Sequence, residues 1–203
     1  RWEILSSVCR EDLLAERIIT GDLSEAEAFL EKAVESGHEG LMAKRLDSDY
    51  ALGMRGKKWF KIKPAETLDL VIIAADWGYG RRTGWLSNYH LAAWDEDEGD
   101  FKMLGKTFKG LTDEEFTEMT KRLQAIKTRE TRYTVYVEPR VVVEVAFNEI
   151  QRSPHYASGF ALRFARITRI REDKSSNEAD TLKRVRQLYE DQFRYKDRAE
   201  FNH

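Results

Sequence analysis

The sequence predicts an α+β, mostly β fold, in which a small strand-rich barrel with one inserted helix is followed by a final helix. Apolar segments with the composition of strands recur after residue 66 and are separated by polar turn sequences: residues 68–75, 85–94, 101–108 and 141–147. In this region helical periodicity is confined to residues 112–127 and residues 178–193. Several strands interrupted by one helix are typical of a small barrel.

Composition limits the class of protein. The 203 residues are 41% hydrophobic, which is sufficient for one sizeable core or two small ones. The formal charge of −2 means that any affinity for nucleic acid must come from local clusters of basic residues. The single cysteine, Cys9, excludes an internal disulfide, and no apolar run approaches the roughly 20 residues that cross a bilayer. These features predict a soluble, intracellular protein, cytoplasmic or, in a eukaryote, nuclear.

The first part of the chain is predicted to hold a short helix and a hairpin. Ser24-Glu25-Ala26-Glu27 has the form of a capping box, and the apolar stripe that follows it ends at Gly37. Residues 39–45 and 57–63 have the pattern of two paired strands around a polar loop. The short polar sequence around Pro64 then marks a domain boundary.

Apolar spacing in the barrel region predicts which side chains face the core. Thr112 and Glu115 form a capping box for the inserted helix. One face of that helix is apolar: Phe116, Met119, Leu123 and Ile126. Alternate positions of one strand are expected to be buried: Val141, Val143, Val145 and Phe147. The final helix is expected to dock through its apolar residues: Leu182, Val185, Leu188 and Tyr189.

Two lysines share one face of the second predicted hairpin strand. Because side chains alternate along a strand, Lys61 and Lys63 project to the same side, while Phe60 and Ile62 are expected to face a core. Two ammonium groups this close repel each other unless a phosphate or carboxylate lies between them. The pair therefore indicates an anion site, and the solvated face of an amphipathic strand is the alternative.

Two further sequences carry charge that suits nucleotide or nucleic-acid chemistry. Glu39 lies beside Gly40 at the start of a strand, where a carboxylate could hold a hydrated divalent cation; an ordinary surface glutamate is the alternative. Residues 163–174 form a cationic strip with apolar residues interleaved, and its guanidinium groups suit phosphate oxygens. Asp173 in this strip could orient a neighbouring basic group. The alternative is a charged strand edge that discourages aggregation.

Other polar and aromatic groups carry less weight. Ser153, His155 and Ser158 lie close in sequence, but a polar loop explains them better than a catalytic triad. The histidines and Cys9 lack the spacing of metal ligands, so zinc is not expected. Four aromatic residues are expected to be mostly structural rather than base-stacking: Trp77, Trp85, Tyr89 and Trp94.

Taken in order, three of these sequences resemble motifs of the ATP-dependent DNA ligases, which belong with the capping enzymes to the covalent nucleotidyltransferases. Glu39-Gly40-Leu41-Met42-Ala43-Lys44 resembles motif IV, Lys61-Ile62-Lys63 motif V and Arg171-Glu172-Asp173-Lys174 motif VI. The likeness extends to Leu68-Asp69-Leu70-Val71-Ile72 and Ser153-Pro154-His155-Tyr156, and so spans nearly the whole chain. These connecting sequences favour a ligase of archaeal or eukaryotic style over a capping enzyme.

The resemblance implies a division into three parts. Residues 1–65 would be the C-terminal part of an adenylation, or nucleotidyltransferase, domain, residues 66–176 an OB-fold domain, and residues 177–203 a C-terminal helix and tail. It implies ATP and magnesium as cofactors, and nicked double-stranded DNA as a partner that is sealed through enzyme-AMP and DNA-adenylate intermediates. A monomer without membrane attachment is expected, and a sliding clamp would be contacted through regions outside this chain.

Roles for individual residues follow from the matching motifs. The residues implied to bind ATP are Arg55, Lys61, Lys63, Arg171 and Lys174. Lys61 and Lys63 would be catalytic through their grip on the α-phosphate, whereas Arg171 and Lys174 would bind the β- and γ-phosphates. Glu39 would bind magnesium. The residues implied to bind DNA are Arg81, Arg82, Arg163, Arg166 and Arg169.

Two departures from the family pattern limit the expected activity. No lysine is followed by x-Asp-Gly, so the family's K-x-D-G nucleophile is missing and this chain alone is expected to be inactive in self-adenylylation. Ala165 replaces the proline of an R-F-P-R sequence, which is a small loss of rigidity. The start at Arg1 suggests a processed or incomplete polypeptide. The alternatives are a non-catalytic OB-fold nucleic-acid-binding module and a portion of an mRNA capping-type guanylyltransferase.

Overall fold

The computed structural model describes residues 2–48, 58–64 and 66–200. The helices are α1 (Trp2–Val8), α2 (Leu23–Glu35), α3 (Asp113–Ala125) and α4 (Leu182–Glu200), with short 3-10 turns at Glu11–Leu13, Gly80–Arg82 and Ser176–Glu178. The strands are β1 (Leu41–Lys44), β2 (Trp59–Ile62), β3 (Glu66–Trp77), β4 (Leu86–Asp95), β5 (Asp100–Thr107), β6 (Lys127–Glu130), β7 (Thr134–Phe147), β8 (Glu149–Arg152), β9 (Phe160–Arg163) and β10 (Arg166–Ile170). None of the helices in the described ranges is both long and apolar enough to cross a membrane.

The amino-terminal helix α2 begins slightly earlier than the sequence pattern indicates. It starts at Leu23, and the Ser24 amide donates a 2.7 Å hydrogen bond to the carboxylate of Asp22. The predicted capping box at Ser24 is therefore wrong, because Asp22 is the N-cap and its charged carboxylate is a strong acceptor for the free amides of the first turn. The predicted end of the helix is confirmed, since Gly37 follows it with a left-handed φ of 88°.

The predicted hairpin is confirmed as an antiparallel pair of β1 and β2, with Leu41 opposite Ile62 and Lys44 opposite Trp59. The prediction that Phe60 and Ile62 face a core is wrong for the described residues, because these side chains are 51% and 40% exposed. A two-stranded sheet buries neither of its faces unless a further layer packs on it. Strand alternation alone therefore did not predict burial.

A curled, wholly antiparallel sheet of six strands forms the barrel region. Its order is β10-β7-β3-β4-β5, and β6 pairs with the first half of β7. Register shifts in β3 and β4 add local twist. The curl brings the two edge strands together: the Ile167 amide donates to the Lys109 carbonyl at 2.9 Å, and the Thr107 hydroxyl donates to the Ala165 carbonyl at 2.6 Å. The predicted barrel with one inserted helix is thus confirmed.

Two helices close the barrel core. α3 carries the predicted Thr112 and Glu115 capping box and buries three of its four predicted apolar residues, while Ile126 is only partly buried. Three residues of α4 are buried against the same core: Leu182, Val185 and Leu188. α4 begins at Leu182 rather than at Glu178, because residues 176–178 form a separate 3-10 turn.

The alternation predicted for β7 is only partly correct. Val141, Val143, Val145 and Phe147 are buried as expected, but Val142 and Ala146 are buried as well. Val142 packs with Val71 of the neighbouring strand and with Ala179, which precedes α4. The segment that leads into α4 therefore covers the outer face of the sheet here, and both faces of β7 are apolar.

The large aromatic residues of the barrel region serve the fold, as expected. Tyr89 is fully buried, and Trp85 stacks on Phe116 with ring centroids 5.9 Å apart. Trp94 meets Phe101 edge to face, and the Trp77 indole donates to Glu130.

The carboxylate of Asp76, near the end of β3, is the centre of a polar cluster within the sheet. It accepts hydrogen bonds from Thr134 at 2.6 Å, Lys106 at 2.9 Å and Asn88 at 3.0 Å, and lies 2.8 Å from Nε2 of His90. Burial raises the pKa of Asp76, but the hydrogen bonds from Thr134 and Lys106 and the nearby His90 lower it more, to about 2. Burial lowers the pKa of His90, and Asp76 opposes that shift. The cluster is thus built around an ionised aspartate.

Candidate functional site

The hairpin of β1 and β2 carries the two lysines that were predicted to bind the α-phosphate and the glutamate that was predicted to bind magnesium. Lys61 lies opposite Met42 in the register of β1 and β2, and Lys63 follows the last residue of β2. Lys63 Nζ lies 2.6 Å from Oε2 of Glu39, just before β1, and both side chains are accessible to solvent. Lys61 is also exposed. The two lysines and the carboxylate therefore line one accessible end of the hairpin, where an anion and a cation could bind side by side.

Gly40 is the residue that permits this geometry. It has a φ of 140°, and a Cβ built on it would lie 2.1 Å from the Ile62 carbonyl oxygen. No side chain fits at that distance, so β2 approaches β1 beside Lys63 only because position 40 is glycine. Arg55, the remaining predicted nucleotide ligand of this part of the chain, lies outside the described residues.

Replacing Gly40 by Ala is expected to displace β2 and to destabilise the hairpin by at least about 2 kcal/mol, because backbone atoms must shift to accommodate the methyl group. Hydrogen–deuterium exchange of the amides in residues 59–62 measures this effect as a loss of protection. Gly99→Ala is the matched control, since Gly99 has a φ of 67° but open space around it. Equal protection of residues 59–62 in Gly40→Ala and the unmutated chain would contradict this role for Gly40.

The carboxyl-terminal end of the cationic strip forms a compact ionic cluster after β10. Arg171 Nη1 donates to both carboxylate oxygens of Asp69, at 2.9 and 2.8 Å, and Lys174 Nζ donates to Asp69 Oδ2 at 2.6 Å. The other edge of the Arg171 guanidinium, Nε and Nη2, binds Asp173 at 2.9 and 2.6 Å. The structure thus brings together the two cations that were predicted to bind the β- and γ-phosphates.

Charge pairing in this cluster shifts the proton affinities of its members. The hydrogen bond with Asp173 raises the pKa of Arg171, and the same bond lowers the pKa of Asp173 below its ordinary range. The suggestion that Asp173 orients a neighbouring basic group is confirmed, because its carboxylate holds the Arg171 fork through two bonds. Both groups remain ionised at neutral pH.

Asp69 was not assigned a role from the sequence, although a signal was present. It is a carboxylate in the apolar run of β3 and is 9% exposed. A charged residue within a buried strand requires a cationic partner, because an unpaired buried charge is costly. An aspartate within an apolar run thus indicates that a Lys or Arg lies near it in the fold, but the sequence does not indicate that this partner is Arg171, 102 residues away.

The predicted DNA-binding arginines of the turn after β3 are in different environments. Arg81 is highly exposed and forms a two-bond ion pair with Asp113 at the start of α3. Arg82 is held in the fold: Nη1 donates to the Phe108 carbonyl at 2.9 Å, and the guanidinium lies 4.6 Å from the Phe116 ring centroid. Arg81 is thus available at the surface, whereas Arg82 also supports the packing of α3.

The other three predicted DNA-binding arginines lie on or before β10. Arg163 ends β9 and lies 5.2 Å from the ring of Phe164, while Arg166 and Arg169 are exposed on β10. Phe164 has a φ of 56°, which makes it the non-glycine residue with a positive φ among the described residues, and it projects into solvent. The structure therefore places these three arginines on one short, exposed and basic segment.

Comparison with known proteins supports the assignment suggested by the motifs. Residues 1–63 match the family model described as ATP dependent DNA ligase domain, and residues 82–174 match that described as ATP dependent DNA ligase C terminal region. DNA ligase 1 of Korarchaeum cryptofilum is 56% identical over 181 residues, which are 89% of this chain and 34% of that protein. The DNA ligase of Thermococcus fumicolans is 54% identical over 184 residues, which are 90% of this chain and 33% of that protein.

A solved structure agrees with these sequence matches. The ligase domain from M. tuberculosis LigD has a TM-score of 0.51 and 25% identity, with 88% of this chain and 57% of that chain covered. This chain spans about a third of the length of the curated relatives that it matches. Both family models describe parts of ATP-dependent DNA ligases, and together they match most of the residues of this chain. The chain therefore belongs to the ATP-dependent DNA ligase family.

Proposed function

We propose that this chain is the C-terminal part of a ligase that uses ATP to seal nicks in double-stranded DNA through enzyme-AMP and DNA-adenylate intermediates. The observation that carries the proposal is the presence of two separate pairs of cations, at the positions of the matching motifs, in a member of this family. One is the pair Lys61 and Lys63 on the hairpin, and the other is the pair Arg171 and Lys174 after β10. Because no K-x-D-G sequence is present, the lysine that accepts AMP would be supplied from outside this chain.

On the hairpin, Lys61 and Lys63 would hold the α-phosphate of ATP and then of the adenylate, and Arg55 would contact the nucleotide. Glu39 fits a magnesium site, because Mg²⁺ prefers hard oxygen ligands, keeps several waters and needs only one or two carboxylates. The exposed Glu39 carboxylate offers such oxygens next to the lysine that faces the phosphate. Bound magnesium would neutralise phosphate charge there, while the lysines orient the reacting phosphorus.

The remaining assignments follow the same family pattern. Arg171 and Lys174 would orient the β- and γ-phosphates as the pyrophosphate leaves during enzyme adenylylation. The residues proposed to contact DNA are Arg81, Arg82, Arg163, Arg166 and Arg169. We propose residues 1–65 as the end of the adenylation domain, residues 66–176 as the OB-fold domain and residues 177–203 as the terminal helix and tail. The protein would act inside the cell as a monomer, and a sliding clamp would be bound by other regions.

A fusion protein tests the proposed function. The amino-terminal two thirds of the K. cryptofilum DNA ligase 1, joined to this chain in place of its own matching part, is expected to seal a nicked duplex with ATP and magnesium. This chain alone, incubated with ATP and magnesium, is expected to gain no mass corresponding to AMP. A covalent AMP adduct on this chain alone would show that one of its own lysines is the acceptor, and the proposed division of roles would be wrong.

Replacing Arg171 by Ala in the fusion is expected to slow enzyme adenylylation by at least about tenfold, because a charge-assisted contact to the leaving pyrophosphate is lost. Sealing of a nick that already carries AMP should change little, since no β- or γ-phosphate is present in that step. Single-turnover assays with ATP and with pre-adenylylated DNA separate the two steps. Equal slowing of both would contradict the assignment of Arg171 to the pyrophosphate.

A further inference from the structure

The ionic cluster after β10 has no excess of positive charge to offer a phosphate. Its two cations, Arg171 and Lys174, are paired with the two carboxylates of Asp69 and Asp173. A fifth group, Glu144, places a carboxylate oxygen 3.9 Å from Arg171 Nη1 and adds further negative charge. A polyphosphate that approaches this arrangement meets a cluster that is already neutralised, so the full attraction of the two cations is not available to it.

The donors that a phosphate needs are the ones that Asp69 occupies. Asp69 Oδ2 accepts from Arg171 Nη1 and from Lys174 Nζ at the same time, at 2.8 and 2.6 Å. One carboxylate oxygen therefore holds both cationic groups, as a phosphate oxygen between them would. Carboxylates and phosphates present oxygen atoms to guanidinium and ammonium groups in closely similar geometry. Lys174 shares the Asp69 oxygen with Arg171, so a phosphate held by both cations would have to take over the Asp69 edge of Arg171 rather than the edge bound to Asp173.

Asp69 is fixed within the sheet, whereas its partners are long side chains of the turn that follows β10. The Asp69 amide donates to the Asp180 carboxylate at 2.7 Å, and the Asp180 amide donates to the Asp69 carbonyl at 2.8 Å. Asp69 also pairs with Glu144 of β7 in the middle of the sheet. Arg171 and Lys174, by contrast, lie in the turn that follows β10; the Arg171 side chain is 14% exposed and that of Lys174 29%, against 11% for Asp69. Exchange of partners would therefore occur by movement of the two long side chains away from Asp69.

We propose that Asp69 is an internal counter-ion that competes with the triphosphate of ATP for Arg171 and Lys174, and so sets how tightly the chain binds that triphosphate. This inference rests on the proposed function, because it takes Arg171 and Lys174 to be the groups that bind the β- and γ-phosphates. If Asp69 only held Arg171 and Lys174 in place, removing its charge would weaken triphosphate binding. The competition predicts the opposite. Removing the negative charge of Asp69 releases the two cations and strengthens binding.

The test uses the whole 203-residue chain and inorganic tripolyphosphate as the probe, with the dissociation constant measured by titration calorimetry at fixed ionic strength. Asp69→Asn is expected to bind tripolyphosphate about tenfold more tightly, the order expected when one unit charge is removed a few ångströms from a phosphate near solvent. Asp113→Asn is the matched control. It removes the same charge from an exposed arginine pair, that of Arg81, and is expected to leave the affinity nearly unchanged.

Unchanged or weaker binding by Asp69→Asn would overturn the competition, as would an equal gain in Asp113→Asn. The gain must also vanish when Asp69→Asn is combined with Arg171→Ala and Lys174→Ala. If Arg171→Ala with Lys174→Ala binds tripolyphosphate as tightly as the unmutated chain, the proposed phosphate role of these residues fails, and the competition falls with it. If only the competition is wrong, Arg171→Ala with Lys174→Ala still binds tripolyphosphate more weakly than the unmutated chain. The two failures are therefore distinguishable.

A measurement on the unmutated chain keeps the proposal testable if Asp69→Asn does not fold. Saturation with tripolyphosphate is expected to shift the NMR signals of Arg171 Nη1 and Lys174 Nζ together, because both groups leave the same oxygen, Oδ2 of Asp69. Movement of neither signal at saturation would overturn the proposal.

Discussion

Lys61→Ala and Lys63→Ala, each introduced into the fusion that carries this chain as its C-terminal part, are expected to slow enzyme adenylylation and nick sealing alike. The α-phosphate of ATP becomes the phosphate of the enzyme adenylate and then of the DNA adenylate, so a group that grips it is used in every step. Loss of one preorganised cationic contact to the reacting phosphate is expected to cost about 100-fold in rate. Single-turnover assays that start from ATP and from pre-adenylylated DNA measure the two effects separately.

Lys58→Ala is the matched control for these two variants. Lys58 is an exposed lysine immediately before β2, so it tests whether loss of any positive charge near the hairpin is sufficient. It is expected to leave both rates within about threefold of the unmutated fusion, the range of an exposed charge. If Lys61→Ala and Lys63→Ala both sealed nicks at the normal rate, the assignment of the hairpin to the α-phosphate would be wrong.

The two lysines are expected to differ in one respect. Lys63 also pairs with Glu39, so Lys63→Ala leaves that carboxylate without its neighbouring ammonium group, whereas Lys61→Ala leaves the pair intact. The negative charges of the phosphate and Glu39 then lose one of the cations that balance them, so a larger share of the balance falls to magnesium. Lys63→Ala should therefore need a higher magnesium concentration than Lys61→Ala to reach its own maximal rate.

Local sequence signals predicted most of the elements because the responsible interactions are themselves local. The Thr112 and Glu115 capping box and the apolar spacing of α3 depend on residues three or four positions apart, and the structure confirms both. The start of α2 was misplaced by the same kind of reasoning. Two acceptors, Asp22 and Ser24, compete as the N-cap within three residues, and sequence spacing alone does not rank them.

Burial and long-range pairing were less predictable because they depend on which layers pack on each strand. Val142 was expected to be more exposed than its neighbours, yet the approach to α4 covers it through Ala179. Phe60 and Ile62 were expected to be buried, yet β2 is exposed at all four of its positions. In the candidate site, the ion pairs of Asp69 were unpredictable for the same reason, because Arg171 and Lys174 lie more than 100 residues away along the chain. The motif order identified the cations, but only the fold shows what holds them.

Asp76 illustrates the same dependence on the fold and leads to the largest expected effect on stability. Its carboxylate satisfies donors from three different strands: Asn88 and His90 of β4, Lys106 of β5 and Thr134 of β7. Asp76→Ala is expected to lower the free energy of unfolding by about 3 kcal/mol, because it leaves these groups without their shared acceptor and Lys106 without its counter-charge. Urea denaturation of this chain at neutral pH, followed by circular dichroism, measures the loss. Asp97→Ala, in the exposed turn between β4 and β5, is expected to change it by less than about 0.5 kcal/mol.

The pH dependence of stability provides an independent measurement of the same aspartate. The folded-state pKa of Asp76, about 2, lies below its ordinary value of 3.8, so the unfolded chain binds the proton more readily. The stabilisation by Asp76 is therefore complete above about pH 4 and is lost as the pH falls towards 2. His90 acts in the same direction at higher pH: burial lowers its pKa below 6.5, so protonation of the unfolded chain destabilises the fold as the pH falls through that value. In Asp76→Ala the loss of stability between pH 4 and pH 2 should be smaller than in the unmutated chain. An identical acid profile for the two proteins would mean that the carboxylate of Asp76 does not carry this stabilisation.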